Sequence, residues 1–260
     1  MNTLERRNEI IEIIKKNKEV KIIDLSKQFE VSRETIRNDL NEISNSENVI
    51  EKVYGGAVLK LPAEESAYEL RKILNSYEKR KIAEAALDLI KDGDTVYLDY
   101  GTTVLSLAEI MLNKKNLTVI TNTLPIINKI VENDSIDIFV PGGMIRRNEF
   151  SFIGNNAFTA IADKYVDCGF FGCAGINNNS GVTNVFEGEV DFSRTMLKQS
   201  SNVVILADHT KFGITSYKQL ASLEEVDTII TGKVPDSDLK EKLFVENNKL
   251  NLVVCVDEEG

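Results

Sequence analysis

Small and polar residues suited to binding an anion follow several predicted strands in the second part of the chain. The clearest case is Gly101-Thr102-Thr103, which lies between a predicted strand and a predicted helix. Glycine permits close approach of a ligand, the hydroxyls can donate hydrogen bonds, and a helix start offers free N–H groups to an anion. Arginine and lysine side chains can add charge at the same place. The residues that we assign to this candidate ligand site are Asp99, Gly101, Thr102, Thr103, Thr121, Asn122, Gly142, Gly143, Arg146 and Lys211.

Two carboxylates leave a catalytic interpretation open. Glu187, which we add to the candidate ligand site, and Glu189 can hydrogen-bond hydroxyl groups, act as a base or nucleophile, or begin a helix, where acidic residues suit the dipole. The chain has neither a Walker A nor a G-x-G-x-x-G motif, which disfavours ATP and dinucleotides. Three cysteines and one histidine, without metal-ligand spacing, predict no metal site and no cofactor. We expect His209 to be structural.

A second group of residues, near the start of the chain, suits contact with nucleic acid. Arg37 and Asn38 are chemically able to read guanine and adenine edges respectively. We expect backbone phosphate contacts from Ser32, Arg33 and Thr35, which lie at the start of the same predicted helix. Farther along the chain, two further residues are expected to touch the DNA backbone or minor groove, namely Lys52 and Tyr54.

The elements that would position these side chains form a winged helix-turn-helix. Apolar residues recur at helical spacing in 4–16, 22–29 and 33–43, and Ser32 is a good N-cap for the third helix. The third helix has an apolar stripe and a polar outer face, and it is the one expected in the major groove. Residues 48–59 predict two short strands that meet near Gly55-Gly56 and form a wing. From the pattern alone, a helical packing or dimerisation module remains an alternative.

The rest of the chain alternates short β-branched runs with helical stretches. Such alternation predicts βα units and a largely parallel sheet, so the fold class is α/β. Ligands of such sheets bind beyond the carboxyl ends of the strands, where the candidate ligand residues fall. The predicted strands are 95–99, 117–120, 136–140, 168–172, 203–207, 226–231 and 251–255.

Charge and composition divide the chain into the same two parts. Residues 1–60 carry 11 basic and 11 acidic residues, so the net charge of −10 falls entirely on residues 61–260. The overall charge argues against a protein that binds nucleic acid over most of its surface. It does not argue against a neutral module whose basic residues are concentrated on one face. Residues 60–80 are charged, contain Pro62 and then become helical. We predict a DNA-binding domain at 1–60, a linker at 61–77 and a ligand-binding domain at 78–260.

The first domain resembles the DNA-binding domain of the DeoR/GlpR family of bacterial repressors. The resemblance is carried by residues 31–40, VSRETIRNDL, and by Tyr54-Gly55-Gly56-Ala57. This chain departs from the family pattern at two positions that the resemblance places against DNA. The family usually has arginine where this chain has Asn38 and often has histidine where it has Tyr54. These two differences affect which operator sequence the domain would recognise, and they leave its mode of binding to DNA unchanged.

The second domain resembles the DeoR-type effector domain. The matching segments are 92–95, 98–103, 119–125, 141–143, 171–176, 181–183 and 206–213. The resemblance implies a fold similar to ribose-5-phosphate isomerase and the CoA transferases, and a phosphorylated sugar as effector. Where the related isomerases carry an acidic segment, residues 172–176 contain no carboxylate. Tyr100 stands beside the predicted phosphate loop, where the family usually has a small residue, and this departure affects the size or the orientation of the effector that the site accepts.

Together these features predict a cytoplasmic transcriptional repressor of a carbohydrate-metabolism operon, with double-stranded operator DNA and a phosphorylated sugar as its partners. A homodimer or higher oligomer is expected, because one such module makes too few contacts for operator-level affinity. Met1 to Asn8 is polar and no apolar run reaches 18 residues, so no signal peptide or membrane span is predicted. Two alternatives remain, namely an isomerase-like or CoA-transferase-like enzyme and a sensor that acts through a protein partner.

Overall fold

The computed structural model describes residues 3–17, 19–46, 50–59, 67–233 and 250–255. The chain divides into two compact units, Met1–Leu74 and Asn75–Gly260. The predicted linker, 61–77, contains helix α4 and the first residues of α5. None of the described helices is long and apolar enough to cross a bilayer.

The first unit is a winged helix-turn-helix. Its three-stranded antiparallel sheet has the order β1-β3-β2, and the wing turn at Gly55 lies between β2 and β3. Strand β1 was not predicted, because its three residues are too few to show an alternating pattern. The elements are α1 (Thr3–Asn17), β1 (Glu19–Lys21), α2 (Ile22–Gln28), α3 (Arg33–Ser46), β2 (Ile50–Val53), β3 (Gly56–Leu59) and α4 (Ala67–Ile73).

The predicted apolar stripes form the core of this unit. Side chains at i, i+3, i+4 and i+7 of a helix share one face, and burying that face against its neighbours stabilises the module. Phe29, predicted on the inner side of the second helix, is only partly buried and packs against this core. The fully or almost fully buried residues of the three helices are Ile10, Ile11, Ile14, Ile22, Leu25, Ile36, Leu40 and Ile43.

The second unit is a parallel α/β fold, as the alternating pattern predicts. Within the part of the unit that the structure describes, the central sheet has seven strands in the order β15-β14-β12-β9-β4-β5-β6, and every neighbouring pair is parallel. Its helices are α5 (Ser76–Leu87), α6 (Thr102–Ile110), α7 (Leu124–Ile130), α8 (Asn155–Ile161) and α9 (Glu187–Lys198). The strands of the central sheet are β4 (Thr95–Leu98), β5 (Leu117–Thr121), β6 (Ile136–Phe139), β9 (Cys168–Gly172), β12 (Val203–Leu206), β14 (Thr228–Thr231) and β15 (Asn251–Val254).

Two smaller sheets, which the sequence did not predict, lie outside the central one. They are a hairpin of β7 (Met144–Arg146) with β8 (Ser151–Ile153), and an antiparallel sheet of β10 (Gly175–Asn177), β11 (Gly181–Asn184) and β13 (Lys218–Ala221). The hairpin continues alongside the end of β5, because the N–H of Phe152 donates to the carbonyl of Asn122 over 2.7 Å. The first of these sheets therefore brings its residues to the carboxyl edge of the central sheet.

The core of the second unit fixes which side chains face α9. Tyr97 of β4 packs against the rings of Phe171 and Phe192, with centroids 5.3 and 6.3 Å apart. Because side chains alternate between the two faces of a strand, Asp99 follows Tyr97 onto the face covered by α9. The predicted strand 226–231 is shorter in the structure, since it begins at Thr228.

Candidate functional site

The start of helix α3 is organised as the sequence predicts. The Ser32 hydroxyl accepts the backbone N–H of Thr35 over 3.0 Å and lies 2.8 Å from the Thr35 hydroxyl. This N-cap satisfies one of the free donors of the first turn and fixes where the helix begins. Arg33, Arg37 and Asn38 are exposed, and Thr35 is partly buried. The outer face of α3 is therefore accessible to a duplex.

Two of the predicted DNA-contacting cations already have partners within the unit. Arg37 donates to Glu34 over 3.0 Å, and both side chains are exposed. Exposed pairs of this kind contribute little stability, so Arg37 can leave Glu34 at small cost. Lys52 of the wing donates to Asn41 of α3 over 2.8 Å. This contact joins the wing to α3, which is called the reading helix below because it is the helix expected in the major groove. Tyr54 stands fully exposed at the tip of the wing.

A buried ion pair, which the sequence analysis missed, anchors the reading helix. The carboxylate of Asp39 accepts from Arg6 over 2.6 Å and from Arg7 over 2.9 Å, and Asp39 is almost fully buried. It sits on the inner side of α3 and ties that helix to α1. The signal available in the sequence was a pair of arginines on α1 and one acidic residue within the apolar stripe of α3.

In the second unit, the junction of β4 and α6 joins a positive-φ glycine to the start of a helix. Gly101 precedes α6 with φ of +108°, a conformation that side chains rarely adopt. Thr102 and Thr103 form the first turn of α6 and are buried. The ammonium of Lys79, in α5, donates to the Thr102 hydroxyl over 3.0 Å and is also buried. Lys79 was not predicted, because it lies on an amphipathic helix among other charged residues.

Asp99 lies immediately before this junction and is completely buried. One of its carboxylate oxygens, Oδ1, accepts from the Tyr97 hydroxyl over 2.7 Å and from the Ser193 hydroxyl over 2.8 Å. The other oxygen, Oδ2, is buried without a partner among the described residues. Burial raises the pKa of Asp99 to about 7, although the Tyr97 and Ser193 hydroxyls oppose that rise.

A buried acid and a cation lie next to Asp99. Arg146 donates to the two carboxylate oxygens of Glu189 over 3.0 and 3.1 Å, and the Ser151 hydroxyl also donates to Glu189. Burial raises the pKa of Glu189, while Ser151 and Arg146 lower it. The Arg146 guanidinium stacks 4.4 Å from the centroid of the Phe186 ring. The β7–β8 hairpin supplies Arg146 and Ser151, and α9 supplies Glu189.

The structure separates Glu187 from this cluster. Glu187 is exposed, and it accepts from Lys218 over 2.7 Å. Lys218 also pairs with Asp191 over 2.6 Å. Two residues along a helix differ by roughly 200° in direction, so Glu187 and Glu189 face opposite ways. The acidic residue that the structure brings to the strand ends is Glu189, which the sequence analysis weighed as a catalytic group but did not include in the ligand site.

The remaining predicted residues also lie at the carboxyl edge. Thr121 ends β5, Asn122 follows it, and both are fully buried; the Asn122 amide donates to the carbonyl of Phe152 over 3.2 Å. Gly142 and Gly143 follow β6 and have positive φ. A β-carbon on Gly143 would lie 2.5 Å from the carbonyl oxygen of Ile153, so glycine is needed there for close packing of the hairpin.

Lys211 lies on a short turn after β12 and is partly buried. Asp208 caps this turn by accepting the N–H of Thr210 over 3.0 Å. Glu78 holds the turn to the start of α5, since it accepts the His209 N–H over 2.8 Å and lies 2.6 Å from the ring nitrogen Nδ1. One carboxylate oxygen each from Glu78 and Asp208 and a ring nitrogen of His209 lie within 4.8 Å of one another, a spacing at which such groups could hold a metal ion. Both oxygens of Glu78, however, are already paired with His209. These contacts join the turn after β12 to helix α5, which is the structural role expected of His209.

An exposed reading helix with a wing, together with an anion-suited strand edge in a parallel α/β unit, defines a ligand-responsive DNA-binding regulator. Comparison with known families agrees with this class. The DeoR-like helix-turn-helix domain matches residues 6–62, and the DeoR C-terminal sensor domain matches residues 74–233. The chain belongs to the DeoR family of transcriptional regulators.

Named relatives match this chain over nearly its whole length. The glycerol-3-phosphate regulon repressor of Escherichia coli is 31% identical over 252 residues, which cover 97% of this chain and 100% of the relative. The transcriptional regulator GolR of Listeria innocua is 33% identical over 260 residues, or 99% of this chain and 100% of the relative. The transcriptional repressor GlcR of Bacillus subtilis is 32% identical over 257 residues, with 98% of each chain covered.

Among solved structures, ribose-5-phosphate isomerase A from Neisseria gonorrhoeae is similar to this chain with a TM-score of 0.40 and 14% sequence identity. The match covers 55% of this chain and 54% of the isomerase.

Proposed function

We propose that this protein represses a carbohydrate-metabolism operon and leaves its operator when a phosphorylated sugar binds to the second unit. The observation that carries the proposal is the junction at Gly101, where two buried threonines, a helix start and the buried ammonium of Lys79 meet. Helix starts and lysines are recurring partners of phosphate groups. The name of one relative agrees with this proposal, since the Escherichia coli protein is the glycerol-3-phosphate regulon repressor.

The DNA-binding surface in this proposal is the outer face of α3 with the wing. Arg37 and Asn38 read base edges, and the first turn of α3 contacts the phosphate backbone. Arg37 leaves Glu34 and contacts DNA instead. Because the Arg37–Glu34 pair is exposed, breaking it costs little free energy. The residues assigned to this surface are Ser32, Arg33, Thr35, Arg37, Asn38, Lys52 and Tyr54.

The effector site in this proposal has a phosphate end and a sugar end. The first turn of α6, together with Lys79 and Lys211, binds the phosphate. The buried acids Asp99 and Glu189 accept hydrogen bonds from sugar hydroxyls, and Glu189 takes the place that the sequence analysis gave to Glu187. The other members of the site are Gly101, Thr102, Thr103, Thr121, Asn122, Gly142, Gly143 and Arg146.

Coupling between the sites requires a difference in effector affinity between two states of the protein. We propose a homodimer in which the segment 61–77 transmits effector binding to the spacing of two reading helices. Lys79 contacts Thr102 at the Gly101 junction, and Glu78 contacts His209 in the turn that carries Lys211. Both residues lie in the first turn of α5. Glu78 and Lys79 directly follow the segment 61–77 in the chain.

Sugar-phosphate isomerisation is a second candidate function, and one observation favours it. A buried carboxyl with a pKa of about 7, as Asp99 has, suits a general base at neutral pH. Residues 172–176, however, contain no carboxylate, and the named relatives above are regulators. We expect saturable binding of a sugar phosphate without turnover. Conversion of one sugar phosphate to another by the purified protein would establish the enzymatic alternative.

Two measurements test the proposal. Binding of the full chain to a promoter duplex is expected to fall steeply as salt rises, because phosphate contacts release counterions. A protein that acts through an adaptor would show no such binding. A thermal-shift screen of phosphorylated sugars is expected to yield a ligand that raises the melting temperature, while its unphosphorylated form does not. Absence of any phosphorylated ligand from such a screen would contradict the effector assignment.

A further inference from the structure

Two buried hydrogen-bond acceptors lie side by side at the carboxyl ends of β4 and β5. Leu98 pairs with Thr121 in the sheet, so the next residues, Asp99 and Asn122, are neighbours on one face. Asp99 Oδ2 and Asn122 Oδ1 are both buried and have no partner among the described residues. Buried polar atoms are rarely left unpaired in proteins. Two such acceptors at adjacent positions indicate that a ligand supplies the missing donors.

The groups around these acceptors make this end of the site acidic. Asp99 and Glu189 are buried carboxylates, and the negative charge of Glu189 opposes ionisation of Asp99 and so raises its pKa. One cation, Arg146, faces Glu189 and is engaged by it through two contacts. The Tyr100 hydroxyl is also buried without a partner among the described residues. The charge of Glu189 is thus balanced by a cation, whereas the donors that the described residues give Asp99 are neutral, namely the Tyr97 and Ser193 hydroxyls and the Tyr100 backbone N–H.

The neighbouring end of the site has the opposite character. Thr102 lies three residues after Asp99, at the start of α6, and Lys79 donates to it. Helix starts and ammonium groups favour anions. A ligand that spans both ends therefore carries a negative group at one end and neutral hydrogen-bond donors at the other.

We propose that this site selects a phosphorylated aldose, ketose or polyol and rejects the corresponding phosphorylated sugar acid. The inference rests on the proposed function and adds a chemical class to it. Neutral hydroxyl groups satisfy Asp99 Oδ2 and Asn122 Oδ1 by donating to them. A carboxylate at the same position offers no donor and adds a negative charge beside Asp99, in a place that excludes water.

Matched ligand pairs test the inference by calorimetric titration of the full chain at pH 8. Each pair has the same number of carbons and one terminal phosphate, and it differs only in an alcohol group, which can donate a hydrogen bond, against a carboxylate, which cannot. Pairs of three to six carbons are used, with inorganic phosphate and the unphosphorylated sugars as further probes. In the pair that contains the tightest ligand, the neutral compound is expected to bind at least tenfold more tightly than the acid.

The outcomes separate this inference from the proposed function. Equal or tighter binding of the sugar acid overturns the selectivity and leaves the phosphate site intact. Absence of binding by every phosphorylated compound overturns the proposed function, and this inference with it.

A substitution identifies the residue responsible. Asp99→Asn retains the shape of the side chain, removes the charge and presents an amide N–H to the ligand, so the preference for the neutral compound is expected to fall at least tenfold. Asp137→Asn, which changes an exposed carboxylate on β6, is the control and is expected to leave the preference unchanged. An unchanged preference in folded Asp99→Asn would overturn the role of Asp99. Asn122→Asp, which adds a second acid, is expected to raise the preference and gives an independent test.

Discussion

Replacing Arg146 with methionine removes the cation that faces the buried acid Glu189. Glu189 has a side chain only 2% exposed, and Arg146 contacts both of its carboxylate oxygens. Loss of one partner of a buried ion pair typically costs about 3–5 kcal/mol, because the remaining charge is left uncompensated. For a unit of this size, a loss of that order lowers the melting temperature by roughly 10 °C.

The cost of this substitution depends on pH in a defined direction. Burial already raises the pKa of Glu189, and Arg146 lowers it, so removal of Arg146 raises that pKa further. A carboxyl whose folded pKa exceeds its unfolded value binds protons more tightly in the folded state, and stability therefore falls as pH rises through that range. The Arg146→Met variant is expected to be least stable at pH 8 and to recover part of the loss at pH 5.5.

Scanning calorimetry of the full chain at the two pH values measures this effect, with hydrogen exchange of α9 locating it in the second unit. The double variant Arg146→Met with Glu189→Gln is the matched control. It lacks both charges and is expected to regain most of the lost stability at pH 8. A loss below about 1 kcal/mol at pH 8, with no rescue in the double variant, would refute the assignment of a tightly coupled buried pair.

Three further predictions concern the two sites. Arg37→Ala is expected to abolish operator binding and to leave effector binding intact, whereas Arg80→Ala, which changes an exposed arginine paired with Glu84, leaves both intact in the same titrations. Lys211→Ala is expected to bind operator normally but not to be released by effector in an anisotropy assay; full release would show that the phosphate site lies elsewhere. Gly101→Ala is expected to cost about 1–3 kcal/mol of stability from its φ of +108° alone, since a β-carbon there meets no atom within 4 Å, and unchanged urea unfolding would contradict this.

The first unit was predicted largely from its sequence, because its signals are local. The apolar stripes, the Ser32 cap and the Gly55 wing each depend on residues a few positions apart. The Asp39 ion pair could not be predicted in the same way, since it joins residues 32 and 33 positions apart. Nothing in a local pattern distinguishes an arginine that reaches inward from one that remains in solvent.

In the second unit, strand positions were predictable and strand neighbours were not. Each strand of the central sheet has a local apolar signal, but the order of the seven strands depends on long-range contacts. The β7–β8 hairpin escaped prediction because its strands have three residues each and are partly exposed. That hairpin contributes Ser151 to Glu189, so the same omission concealed which of the two glutamates faces the site.

The most direct test of the account is whether DNA and effector oppose each other's binding by the same factor. The affinity of the full chain for its operator is measured with and without the best sugar phosphate, and the affinity for that sugar phosphate is measured with and without operator. We expect both dissociation constants to rise by one common factor of about 10 or more, since coupling between two sites is reciprocal. Simultaneous binding of both ligands with unchanged dissociation constants would contradict the claim that a sugar phosphate bound at the strand ends releases the reading helix from the operator.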